Sequence, residues 1–228
     1  MLLQNHPQEN LDWSYNPRAK RMSLRVDPKA GVIRFTIPPR TSQFSINRFL
    51  KQNRDWITER QKTLLPKTEI IDGSVISYRG IHHEIAIRPH AKRITEIIPL
   101  PPLLYIHTSR EDPTNNLKRW MIDQARRIIE PLSYEKARSI GKTISKIDLR
   151  DTSSRWGSCS SDKRLMFSWR LIMAPDYVLD YVIAHEVAHL KHMDHSRQFW
   201  DVCYSMSDRP EEARAWLKQE GNSLMRYF

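Results

Sequence analysis

The pentapeptide His185-Glu186-Val187-Ala188-His189 constrains this chain more than any other feature. Tyr177, Val178, Tyr181, Val182, Val187 and Leu190 give the segment around it an apolar, helix-length character. On a helix, side chains four residues apart project from one face, about 6 Å apart along the axis. His185 and His189 can therefore close on one ion at the ~2.1 Å that an imidazole nitrogen keeps from zinc. Glu186 is rotated by about 100° from His185, beside such an ion but poorly placed to ligate it. A general base is wanted there, next to a water that the ion acidifies.

A hydrolytic zinc site needs a third protein ligand and an open fourth position. His192 and His195 follow closely on the pentapeptide. On a straight helix His192 would share the right face but lie about 10 Å along the axis from His185, a span one ion cannot easily bridge. His195 becomes reachable if the chain turns after Lys191 and Met193-Asp194 leads into a new helix. This favours His195 and leaves His192 exposed or in a supporting place. Glu211 or Glu212 on a later helix is the remaining alternative.

Composition narrows the class. With 228 residues, 39% hydrophobic and 28% charged, the chain can bury a core and is not a disordered tail. No run of about eighteen apolar residues is present, so no membrane span is expected. The start, Met1-Leu2-Leu3-Gln4-Asn5-His6-Pro7, lacks the pattern of a secretory signal. Two cysteines, Cys159 and Cys203, read as buried thiols in a reducing compartment, and together these point to a cytoplasmic protein. The net charge of +11 is uneven: residues 1–150 hold 27 Lys/Arg against 15 Asp/Glu, and residues 151–228 hold 10 against 11. The basic excess lies outside the segment with the candidate ligands. It suits a nucleic acid or another polyanion, or else it is a solvated face.

Met22, Leu24 and Val26 alternate with polar residues, as do Ile33, Phe35 and Ile37, with Asp27-Pro28-Lys29-Ala30-Gly31 between them. This predicts a hairpin. Ser42 or Ser45 opens one amphipathic helix that closes before Pro66. Strands are expected from Ile70 to Pro89 and over Leu103 to His107, with an irregular, proline-bearing Ile94 to Pro102 between them. Asp112-Pro113 starts a helix that reaches Gly141, with Pro131 expected to kink or break it. Strands follow at Ile144–Leu149 and Leu165–Trp169, joined through a Gly/Ser-rich turn, Arg155 to Ser161. Helices then open at Pro175-Asp176, Ser196 and Glu211. The expected class is α+β: a β-rich region with one helix over residues 1–110, then a metallohydrolase domain over residues 111–228 whose active-site helix carries the His-Glu pentapeptide.

Several stretches together resemble the YgjP-like metallopeptidase family. They are Arg155-Trp156-Gly157-Ser158-Cys159, Trp169-Arg170-Leu171-Ile172, Ala174-Pro175, Asp180-Tyr181-Val182, His185-Glu186, His195-Ser196 and Phe199-Trp200. The resemblance is dense over residues 150–220 and looser before them, and departs at Ser168, Val187 and Asp194. It implies a zincin-like fold, zinc on His185, His189 and His195, and Glu186 as acid/base. The spacing from His185 to His195, with Ser196 and Phe199, is also similar to the SprT-like and WLM groups.

Three functional readings follow. The first is a metallopeptidase acting on a protein or peptide substrate, with Arg155 near the cleft and an adjacent strand pairing with an extended peptide. The second is a pyrophosphatase of nucleoside triphosphates such as UTP, although no glycine-rich phosphate loop is present. The third is a DNA-associated protease that the basic N-terminal region recruits to nucleic acid, although no zinc finger or helix-turn-helix is evident.

Overall fold

The computed structural model describes residues 10–64, 68–89, 96–109 and 112–228. The start read for a signal and the entry to the stretch at Ile94 lie outside them. The chain forms two compact units, Met1–Lys67 and Thr68–Phe228, and the α+β class holds.

In the first unit, β1 (Leu11–Tyr15), β2 (Ser23–Asp27) and β3 (Val32–Ile37) form a sheet in the order β1-β3-β2, followed by α1 (Gln43–Gln52) and α2 (Arg54–Thr63). The expected hairpin is β2 and β3. Its turn is held by the Asp27 carboxylate, which accepts from the backbone N–H of Lys29 and Ala30, and by Gly31 at φ 65°. β1 is a strand the sequence reading missed, and it runs parallel to β3. Its inward residues Leu11 and Trp13 are only half-buried, so its alternation carried little contrast.

The register gathers Ile33, Phe35 and Ile37 on one face, and Ile46, Phe49 and Leu50 of α1 pack over it. Phe35 stacks on Phe49 with ring centres 5.5 Å apart. Ser42 caps α1 by accepting from the N–H of Ser45. The one helix expected here is two, because Asn53 turns its backbone and side-chain N–H groups onto the Phe49 carbonyl and ends α1.

The second unit begins with β4 (Val75–Tyr78), β5 (Ile81–Pro89), β6 (Glu96–Leu100) and β7 (Leu103–Thr108), in the order β4-β5-β7-β6. β6 occupies the stretch expected to be irregular. It is an edge strand, where the missing N–H of Pro99 is tolerated. Ile76, Ile85, Leu104 and Ile106 of this sheet share one core with the helices that follow. The division between the two compact units falls at 67/68.

Helix α3 (Thr114–Ser139) starts where the Asp112 carboxylate accepts from the N–H of Thr114, and stops before Gly141 at φ 67°. It continues through Pro131 without the break that was one of the two outcomes expected there. Leu117, Met121, Ala125, Ile129, Ser133 and Ala137 form one buried stripe at four-residue spacing. Burying several apolar side chains at about 1.5–3 kcal/mol each outweighs the roughly 3 kcal/mol that an internal proline costs.

A second sheet, in the order β8-β10-β9, comprises β8 (Lys146–Arg150), β9 (Gly157–Cys159) and β10 (Arg164–Ser168). What reads as a Gly/Ser-rich turn thus contains a short strand, antiparallel to β10. A 3-10 turn (Trp169–Met173) then leads to α4 (Asp176–Ala188), α5 (Arg197–Ser205) and α6 (Pro210–Gln219). α4 buries residues on every side, as a central helix does. The Arg79 guanidinium donates to both carboxylate oxygens of Asp176 at 2.9 and 2.6 Å, and Lys136 reaches Asp180 at 2.7 Å. Gly80 allows this close approach, since a Cβ there would lie 2.8 Å from Pro175 Cα.

Arg170 is wholly buried and has a partner for every nitrogen: Asp151 at 2.9 Å and the carbonyls of Leu224, Tyr227 and Phe228 at 2.6–3.2 Å. It fastens residues 224–228 to the 3-10 turn that follows β10. Among the described residues no helix is long and apolar enough to cross a membrane.

Candidate metal centre

α4 presents His185 and Glu186 near its end, and His189 is its cap. The N–H groups of Leu190, Lys191 and His192 then bond back to the carbonyls of Val187 and Ala188, which turns the chain off the helix axis. Asp194 accepts from the N–H of Ser196, and Ser196 in turn accepts from the N–H of Phe199, so α5 starts at once. This tight turn carries His195 back over His185 and His189.

One nitrogen from each of these three rings lies within 4.8 Å of the others. The Nε2 atoms of His185 and His195 are 3.3 Å apart. Two nitrogens held at ~2.1 Å by one tetrahedral ion sit about 3.4 Å apart, so this pair fits zinc. His189 fits as well. Its Nδ1 lies 3.0 Å from the carbonyl of His192, and a carbonyl only accepts, so Nδ1 carries the proton and Nε2 keeps its lone pair. Burial, followed by the neighbouring charges of His189, His195 and Arg214, pushes His185 down to about 4, which keeps it neutral as a ligand must be.

The other candidates stand elsewhere. The ring of His192 is not in the cluster; its backbone carbonyl orients His189 instead. Glu211 is engaged by Tyr204 and Arg214, and Glu212 by Arg209.

Glu186 is 6% exposed, and burial pushes its carboxyl up to about 8 while the charge of Arg155 pulls it down. A dication in the adjacent cluster would draw it down further. The carboxylate sits against Gly157 of β9, where a Cβ would come within 2.5–2.7 Å of Glu186 Cγ, Cδ and Oε1. Gly157 is therefore a gap shaped for this side chain, a role beyond the turn the sequence suggested. Arg155 itself is exposed. Both thiols feel Glu186, and burial raises Cys159 to about 11 and Cys203 to about 12, so both stay protonated.

Three further residues shape the centre: Phe199 and Trp200, which the sequence marks only as part of the family resemblance, and Arg214, which it does not single out. Phe199 is fully buried, with its ring centre 4.5–5.0 Å from all three imidazoles, and it forms their floor. Trp200 lies against His185 and His195 at 5.8 and 5.7 Å. Arg214 covers the Trp200 ring at 4.9 Å and brings a cation towards His185. Tyr181 packs in the core with its ring 6.0 Å from His185, and Trp156 lies against Gly221. Ser168 is buried and ties β10 to the Arg155 turn by donating its N–H to the Trp156 carbonyl at 2.8 Å.

Residues 20–220 match the model of the YgjP-like metallopeptidase domain. No curated protein matches the chain. Among solved structures, the metallopeptidase zymogen of Methanocaldococcus jannaschii jannalysin is similar at 22% identity and a TM-score of 0.36, covering 40% of this chain and 95% of that one.

Proposed function

Since the chain belongs to the YgjP-like metallopeptidase family and is a hydrolytic metalloenzyme, we propose that it cleaves peptide bonds using zinc held by His185, His189 and His195, with Glu186 moving the proton. The observation that carries this reading is the convergence of three imidazoles next to one buried carboxylate. Zinc, when bound, supplies a Lewis acid that polarises a carbonyl and lowers the pKa of a nearby water towards 7.

The chain's own residues do the rest. Glu186 takes a proton from the attacking water as its oxygen bonds to the carbonyl carbon. It then returns that proton to the amine nitrogen as the C–N bond breaks. Gly157 keeps the carboxylate in place, and the fully buried Phe199 keeps bulk water from beneath the imidazoles. β9 pairs only with β10 among the described strands, so its outer edge offers backbone groups to an extended peptide. Arg155, adjacent to that strand and close enough to act on Glu186, is placed to favour negative charge developing on the carbonyl oxygen.

Incubation of the zinc-loaded chain with an unfolded polypeptide should yield new amino termini, and UTP should release no pyrophosphate. Pyrophosphate release with the polypeptide left intact would overturn the peptidase reading.

A further inference from the structure

The first compact unit carries an excess of positive charge that its own acids do not answer. Over residues 10–64 there are 12 Lys/Arg and 4 Asp/Glu, a net +8. Arg34 takes both Asp12 (2.6 Å) and Asp27 (2.8 Å), and Lys62 takes Glu59 (3.4 Å), which leaves Asp55. Arg18, Lys20, Arg21, Arg25, Arg40, Arg48, Lys51 and Arg54 are all exposed and have no ion-pair partner among the described residues.

Topology gathers five of these eight at one end of the first sheet, and α1 carries a sixth, Lys51, back along the same face from that end. β1 and β3 are parallel and β2 is antiparallel to β3, so the ends of β1 and β3 and the start of β2 share one end of the sheet. The Asn16 N–H bonds to the Ile37 carbonyl at 3.0 Å and closes that end. The loop from β1 to β2 leaves there with Arg18, Lys20 and Arg21, and the segment after β3 leaves there with Arg40. α1 begins at the same end, because its later residue Phe49 stacks back on Phe35 in mid-strand. Phe44, Arg48 and Lys51 are spaced four and three residues apart, one face of α1, while Ile46, Phe49 and Leu50 form the buried face.

Two aromatic rings stand in this cationic zone without joining the core. Phe44 is 76% exposed and Tyr15, the last residue of β1, is 58% exposed. Exposed aromatic faces set among unpaired cations suit a ligand with planar rings on a polyanionic backbone. A lipid surface would want a contiguous apolar face, whereas here the rings are interleaved with six charges. We propose that this end of the N-terminal unit is a docking site for single-stranded nucleic acid: Arg18, Lys20, Arg21, Arg40, Arg48 and Lys51 hold phosphates, and Phe44 and Tyr15 stack on bases. The site is independent of the peptidase reading and needs no metal.

The test is fluorescence anisotropy of the full chain with a labelled oligo(dT) of about 20 nucleotides, long enough to fill a site of this kind. The logarithm of the affinity should fall linearly with the logarithm of salt concentration, by roughly 0.7 for each phosphate contact. Arg48→Ser together with Lys51→Ser should shrink that slope by roughly 1.4. Phe44→Ala should weaken binding about tenfold, the range of one lost base stack, and leave the slope unchanged. Both variants change exposed side chains, and cleavage of a free polypeptide should match the wild type in each. Absence of binding at low salt, or a slope indifferent to the double substitution, would overturn the proposal. So would duplex DNA bound as tightly with Phe44→Ala neutral, or capture by phosphatidylserine vesicles without capture of the oligonucleotide.

Discussion

In the N-terminal unit the charged side chains are on the surface and mostly unmatched, with eight exposed cations facing solvent alone. In Thr68–Phe228 the balance is close, 24 Lys/Arg against 21 Asp/Glu, and polar groups go inward. Arg170 is fully buried and satisfied, Glu186 is buried against a glycine, and three histidines share a floor made by Phe199. The contrast separates two physical tasks. Exposed charge acts over a distance and loses force with salt, whereas buried polar groups are costly unless their partners are in place, and so hold one geometry.

The largest effect expected from breaking this arrangement is at the cluster. His195→Ala should lower zinc affinity on the order of 1000-fold, beyond the 10–100-fold typical of groups that only orient a ligand. His192→Ala should stay near the wild type, because only its backbone carbonyl holds His189. Titration against a competing chelator measures both, and equal losses would assign His192 a ligand's part. Next comes Arg170→Ala, which leaves the carbonyls of Leu224, Tyr227 and Phe228 without their donor. A loss of about 3 kcal/mol is expected, seen as a Tm roughly 6–12 °C lower in calorimetry.

Gly157→Ala follows. The added methyl must push the Glu186 carboxylate aside, and misplacement by about 1 Å costs up to 100-fold in kcat. Zinc affinity should be unmoved, and steady-state kinetics beside a metal assay separates this from unfolding.

The smallest effect lies in the N-terminal unit. Burial works against the Asp27 carboxylate, but its bonds to Arg34 and to the Ala30 and Lys29 N–H groups win and hold it below the usual range. A lowered folded pKa stabilises above the unfolded value of about 4 and loses that gain as pH falls through the folded one. Asp27→Asn should therefore destabilise this unit slightly at pH 7 and make no difference in strong acid, by Trp13 fluorescence on denaturant titration.

The sequence revealed most where neighbours in space are neighbours in the chain. His185, Glu186 and His189 follow from one helical turn, and His195 from the turn that Asp194 and Ser196 build. Gly157 and Glu186 meet only because β9 packs on α4, and nothing in the spacing of the residues between them reports that contact. The break expected at Pro131 is absent for the converse reason, since a local breaking rule yielded to a buried stripe that local rules do not see. β1 was missed because its parallel pairing is set by a partner distant in the chain.

The central claim is that Glu186 moves the proton while the three histidines hold the metal. Metal content and polypeptide cleavage, measured on one preparation each of the wild type and Glu186→Gln, test it most directly. The account expects one zinc per chain in both, with cleavage lost in the variant. A fully active Glu186→Gln enzyme, or a wild-type chain that cleaves without zinc, would contradict it.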